Sequence, residues 1–260
     1  MPRKPVSVEN PYREIRVIPV IGIGEVVSGD SVADLIVDAL ALGGRRLQEG
    51  DILVIKHKIV AKAEGRSVAL DTIQPSDSAR RFAQHNGADA QVVELALREA
   101  KRVVRKKHVL ITETVHGFVC ANSGVDVSNV NGGKHALLLP ADPDRSAYNL
   151  HRALKKRLKL SIPVLITDTF GRPWREGLTE VAIGVAGMKA IHDDRGSRDP
   201  SGYVLRVSLE AVADELACAA GLVCGKLART PACIIRGFPY RPARGTAREL
   251  LRPAANDLFR

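Results

Sequence analysis

Two segments hold most of the residues that could do chemistry. One runs His116-Gly-Phe-Val-Cys-Ala-Asn-Ser-Gly-Val-Asp126-Val-Ser-Asn129. The other runs Thr167-Asp168-Thr169-Phe-Gly171-Arg172-Pro-Trp174-Arg175. Each reads as a strand passing into a polar, glycine-containing turn that presents one aspartate beside neutral oxygen and amide groups. Such oxygen donors suit a magnesium or manganese ion holding phosphates. Asp126 has Ser123, Ser128 and Asn129 near it, although an aspartate in this setting also caps turns. Asp168 reads as the acid at the carboxyl end of an aliphatic strand, a common position for a metal-binding carboxylate in nucleotide enzymes. Thr169 could add its hydroxyl or its carbonyl, and a turn aspartate ahead of Gly171 is the plainer alternative. Arg172 and Arg175 follow; an arginine's planar fork matches phosphate or carboxylate, and ordinary surface charge is the other reading. Lys58 and Lys62 lie four apart, on one face if their segment is helical. A lysine's compact charge suits the outer phosphates of a nucleotide, and a solvated face would show the same spacing.

Other chemistries find less support. No GxxxxGK[ST] phosphate loop occurs, and Gly22-Ile-Gly24 lacks the third glycine of a dinucleotide fingerprint. There is no GxSxG elbow and no HExxH. Cys120 sits near His116 but reads as a buried structural cysteine rather than a nucleophile. His57, His116 and His192 have no metal spacing. The four cysteines, at 120, 218, 224 and 233, contain no CxxC pair, which argues against zinc and against a disulfide framework.

These residues need a scaffold, and 260 residues are enough to bury a core. Aromatics make up only 4%, so aliphatic side chains must build it. The 39 Lys and Arg against 29 Asp and Glu give a formal charge of +10, which favours anionic partners such as nucleotides and carboxylates. Strands are expected over 15–20, 52–55, 164–169 and 232–236, and a strand-like stretch over 203–209. A turn is expected over 22–25, with the segment 58–65 directly after the second strand. Ser31, Ser76 and Asp89 are helix caps. The first opens a helix over 32–42, and the last opens one running to about 106, which puts the basic cluster 101–107 at a helix end. A hairpin is expected over 109–121, a loop over 130–145, and helices over 146–159 and 211–227. The whole reads as mixed α/β or α+β. The expected organisation is a tail over 1–13, one domain over 14–245 with a helical lobe at about 70–105, and a C-terminal tail over 246–260. No signal peptide and no stretch long enough to cross a bilayer is present, so the expected compartment is the cytoplasm, with no membrane partner.

Taken together, the blocks VIPVIGIGEV (17–26), GDILVIKHKIVAKAEGR (50–66), HGFVCANSGVDVSNV (116–130), ITDTFGRPWREG (166–177), VAIGVAGMKAI (181–191) and AVADELACAAGLVCGK (211–226) resemble the coenzyme F-420:L-glutamate ligase family, also called F-420-0:γ-glutamyl ligase. The resemblance implies an F-420 ligase-like fold with mixed and antiparallel sheets, in a homodimer of intertwined sheets with the site near the interface. It implies GTP-dependent addition of L-glutamate to the lactyl carboxylate of F-420-0, then of γ-linked glutamates, through an acyl phosphate. Magnesium or manganese would serve, with potassium in support. By position, Asp126 and Asp168 match the family's metal-binding aspartates and Thr169 a contact to a second metal. Ile23, Gly24, Glu25 and Val26 match the N-terminal nucleotide loop, and His57, Lys58, Lys62 and Asn129 match further nucleotide contacts. Asp126, Asp168 and Arg175 are the expected catalytic residues. Cys224-Gly225-Lys226 stands where some members have Met-Gly-Glu or Met-Gly-Gln, whose last side chain helps bind the second metal. A protonated lysine cannot do that, so either that metal has fewer protein ligands or Lys226, beside Gly225, meets the phosphates. Two other readings are a nucleotide- or deazaflavin-binding protein without catalysis, and a nucleic-acid-binding protein. The second is motivated by charge alone, without aromatic platforms or a dense basic stripe, so no nucleic-acid partner is expected.

Overall fold

The computed structural model describes residues 14–128 and 131–257; the expected tail over 1–13, Asn129, and the last three residues lie outside the described residues. In chain order the elements are Arg16–Pro19 (β1), Val32–Leu42 (α1), Ile52–Lys56 (β2), His57–Ala63 (α2), Ser67–Ala69 (β3), Asp77–Asn86 (α3), Ala90–Arg98 (α4), Ala100–Lys106 (β4), Leu110–Thr114 (β5), Val119–Ala121 (β6), His135–Leu137 (β7), Pro143–Leu158 (α5), Val164–Arg172 (β8), Arg175–Ala186 (β9), His192–Asp193 (β10), Leu209–Glu210 (β11), Val212–Cys224 (α6) and Ala232–Arg236 (β12).

Short polar side chains start the helices by accepting from otherwise orphaned amides. Ser31 accepts from Asp34 N, Ser76 from Ala79 N, and Asp89 from Gln91 N and Val92 N. Asp142 accepts from Arg145 N with Pro143 at the first helical position, so α5 begins three residues ahead of the expected start at 146.

The central sheet has five strands in the order β1-β12-β2-β8-β9. Only β2 and β8 run parallel, with Leu53 opposite Val164 and Lys56 opposite Thr167. Side chains alternate between its faces. Leu53, Ile55, Val164 and Ile166 pack with Ile36 and Leu40 of α1, Ile59 of α2 and Leu154 of α5. Ile52, Val54, Leu165 and Val185 pack with Ala213, Leu216 and Ala220 of α6. Burial on both sides explains the unbroken apolar runs of β2 and β8. Asp51, fully buried ahead of β2, accepts from Arg236 Nε (2.7 Å) and Nη2 (2.8 Å) and so ties β2 to the end of β12.

The sheet β4-β5-β6 is antiparallel, and β3 pairs with β7 inside the expected 130–145 loop. Helices α3 and α4 form a cluster around Phe82, Val93, Leu110 and Leu138. The expected long helix to 106 is corrected: α4 ends at Arg98, and 100–106 is strand β4. The reason is long-range. Lys101 and Arg102 lie against Glu113 of β5, at 3.4 and 2.7 Å, so the basic cluster balances a buried carboxylate rather than a helix end. Of 203–209 only Leu209 is strand, and Val204 makes an isolated bridge to Arg198. The stretch from Thr246, expected as a tail, is docked: Ala247 is buried, its N–H donates to Asp144 Oδ1 (2.7 Å), and Leu251 packs on the core.

Candidate functional site

The site is built at the junction where β2 turns directly into α2. His57 and Lys58 are the first two residues of that helix and engage the two expected aspartates in succession. His57 Nε2 lies 3.2 Å from Asp168 Oδ1, although neither ring nitrogen is aligned for a hydrogen bond. Lys58 Nζ lies 2.7 Å from Asp126 Oδ2, and also donates to Ser128 O (3.0 Å) and Ser128 Oγ (2.7 Å). All three ammonium donors of Lys58 are therefore engaged in holding the 126–128 loop. Asp126 is fixed further by Ser128 N, which donates to its Oδ1 at 2.6 Å, and by paired backbone bonds with Leu137 of β7. Burial pushes the Asp126 carboxyl up, but the Lys58 ammonium and the Ser128 donors outweigh it, and the net shift is downward.

The two sequence segments meet in space. Phe118 and Phe170 pack edge to face, with ring centroids 6.3 Å apart. Cys120 is close enough to Asp168 for the carboxylate to act on its thiol. Burial first, and that charge second, push the thiol up to about 12, which suits a structural cysteine and not a nucleophile.

Asp168 is not at the end of its strand. It lies in the middle of β8, because pairing with β9 carries the ladder on to Arg172. It does stand one residue beyond the last β2–β8 pair, so it is at the carboxyl end of the parallel part of the sheet. Thr169, the next residue, faces the opposite side. Its Oγ1 donates to Glu180 Oε1 at 2.8 Å, and the same oxygen is ion-paired with Lys56 Nζ. Glu180 is 8% exposed, and its Oε2 is buried without a hydrogen-bond partner among the described residues. A Cβ on Gly221 of α6 would come within 2.6 Å of Glu180 Cγ, so glycine there makes room for this side chain. Lys56 and Glu180, beside Thr169, are not among the residues expected from the sequence. The available signal was a single charge closing one apolar run and opening another, in ILVIK and EVAIGVA.

The remaining expected residues divide. Lys62 of α2 is ion-paired with Glu25, which brings the 23–26 loop to the helix. In that loop Ile23 and Val26 pack on the core, while Gly24 and Glu25 are exposed. Gly225 caps α6 and Lys226 follows, exposed; Cys224 just before them is near enough to Lys56 and Glu180 to feel both charges. Two further residues complete the placements. His57 is 1% exposed, and its ring backs Asp168. Arg175 opens β9 opposite Arg172, six residues beyond the partner of Asp168. Along β8, Arg172 itself is four residues beyond Asp168, about 13 Å at strand rise.

The family model for F420-0:Gamma-glutamyl ligase matches residues 20–237. The coenzyme F420:L-glutamate ligase of Methanothermobacter thermautotrophicus is 46% identical over 250 residues, covering 95% of this chain and 99% of the relative. The protein of the same name from Methanopyrus kandleri is 43% identical over 252 residues, 95% of this chain and 98% of that one. That from Methanocaldococcus jannaschii is 42% identical over 216 residues, 82% and 86% respectively.

Proposed function

The chain belongs to the F420-0:gamma-glutamyl ligase family, and from that premise we propose that it joins L-glutamate to the lactyl carboxylate of F420-0, and then adds γ-linked glutamates, with GTP as the second substrate. The observation that supports this reading best is the β2–α2 junction, where consecutive residues engage Asp168 and Asp126 and Lys62 reaches the 23–26 loop. Acidic oxygens and ammonium groups are thereby set together at the carboxyl end of parallel strands, where α/β sheets bind nucleotides.

A carboxylate resists amine attack until one oxygen is made a leaving group. In the proposed sequence the lactyl carboxylate attacks the γ-phosphorus of GTP, the bond to the β-phosphate oxygen breaks, and GDP leaves. The amine of glutamate then attacks the acyl carbon; the C–N bond forms, the C–O bond breaks, and phosphate departs. Both steps move charge between anions, so fixed cations and donors lower the barrier. Lys62 and the exposed backbone at Gly24 would meet the nucleotide. Lys58 fixes the loop that presents Asp126 and Ser128. The buried ring of His57 backs Asp168.

The residues fit magnesium or manganese. The available donors are carboxylate and hydroxyl oxygens, the preferred ligands of these ions. Among the described residues no three His, Cys, Asp or Glu side chains converge, so the protein alone offers less than a full shell. That matches the usual magnesium pattern of one or two carboxylates completed by water and substrate phosphates. Asp126 and Asp168 would hold the ion, with Thr169 available to a second, and the ion would neutralise phosphate charge. Potassium in support, a homodimer and a cytoplasmic location complete the reading. Among the described residues no helix is long and apolar enough to cross a membrane.

The test is mass spectrometry of F420-0 incubated with the purified protein, GTP, glutamate and Mg²⁺ or Mn²⁺. Products heavier by glutamyl residues, formed only with GTP, are expected. GTP binding without any change in F420-0 would point to a binding protein instead.

A further inference from the structure

A cation at the carboxyl end of β2 has no part in the steps above. Lys56 Nζ is ion-paired with Glu180, and its side chain is 18% exposed. An ammonium has three donors, and Glu180 is its one hydrogen-bond partner among the described residues. Lys56 stands opposite Thr167 in the parallel ladder, one residue short of Asp168, so it emerges at the level of the site but on the α6 side of the sheet. Its counter-ion is firmly held. Glu180 accepts from Thr169 Oγ1 at 2.8 Å, its backbone carbonyl accepts from Cys218 Sγ at 3.2 Å, and Gly221 leaves it just enough room. A buried carboxylate with one oxygen unpartnered is costly. Glu180 offsets the burial of Lys56 while leaving two ammonium donors free.

We propose that Lys56 is a further catalytic residue, which donates to the phosphoryl group as it passes from GTP to the lactyl carboxylate. Glu180, with Thr169, is the positioning residue that aims it. The inference rests on the acyl-phosphate reading above. A lysine held in advance by a buried partner needs no reorganisation as charge develops, which is the condition for electrostatic catalysis. Lys58, by contrast, has all three donors engaged in the protein.

The experiment compares wild type, Lys56→Gln, Glu180→Gln and the double variant. Each is assayed with GTP and F420-0, once with glutamate and once with hydroxylamine, which traps an acyl phosphate as a hydroxamate. Thermal midpoints check the fold. For Lys56→Gln, kcat is expected to fall about a hundredfold with either nucleophile, while KM for GTP stays within about threefold. Glu180→Gln is expected to cost about tenfold or more, and the double variant to be no worse than Lys56→Gln. If Lys56→Gln fails to fold because Glu180 is stranded, the neutral double variant carries the same expectation. Wild-type-like kcat in Lys56→Gln, or a loss confined to KM, overturns the assignment of Lys56. Multiplying losses in the double variant overturn the role of Glu180. A wild-type protein that forms neither glutamyl product nor hydroxamate overturns the functional reading, and this inference with it.

Discussion

Gly221→Ala sets two effects against each other, and the structure decides their sum. Gly221 lies inside α6 with φ outside the left-handed region, so alanine should favour the helix by about 1 kcal/mol. Its new Cβ would lie 2.6 Å from Glu180 Cγ, well inside an ordinary contact of 3.4 Å or more. A free glutamate would swing aside at little cost. Glu180 is held by Lys56 and Thr169, so crowding on the order of 1–3 kcal/mol is expected instead. The expected net effect is a loss of about 0–2 kcal/mol. In a Glu180→Ala/Lys56→Met background, where Cγ is gone and no charge is stranded, the same change should stabilise by about 1 kcal/mol. Urea unfolding of the four proteins measures this, and the sign change is the signature. If Gly221→Ala stabilises equally in both backgrounds, with coupling below about 0.5 kcal/mol, Glu180 is not held and the network has been misjudged.

Other outcomes follow from the same contacts. Asp168→Asn should leave the fold intact, since an amide oxygen can still accept from Thr169 N, and lower ligation by about a hundredfold or more; near-normal turnover would remove Asp168 from the site. Asp51→Ala strands Arg236 and should cost about 3 kcal/mol, the lower end for a buried pair because Arg236 is 30% exposed; a loss under about 1 kcal/mol by denaturant unfolding would contradict that. Because the folded pKa of Asp126 is depressed, its contribution is present above the unfolded value of about 3.9 and lost as pH falls through the folded value. The stability gap between wild type and Lys58→Met should therefore narrow as pH drops from about 6 to below about 4; a constant gap would show that the pair is not what lowers the Asp126 pKa.

What the sequence revealed was what local chemistry decides. Ser31, Ser76 and Asp89 cap their own helices, so their roles can be read within four residues. Asp126 and Asp168 stood out because each interrupts an apolar run with a turn-like segment. The misreadings have distant causes. Residues 101–106 are strand because Glu113 and β5 lie alongside, which no local charge pattern announces. Asp168 is mid-strand because β9 returns past it. Lys56 and Glu180 are 124 residues apart, and neither is unusual until the other is beside it. Arg175 follows Asp168 by seven residues in sequence, and the return of β9 sets it opposite Arg172.

The strand order β1-β12-β2 has a consequence for biosynthesis. The first strand made has no neighbour in this sheet except the last one made, which must enter between two strands that emerged long before. Until residues 232–236 leave the ribosome, β1 is unpaired and one side of β2 presents bare amides and carbonyls. A nascent or truncated chain lacking those five residues would thus be open to strand capture by neighbouring molecules.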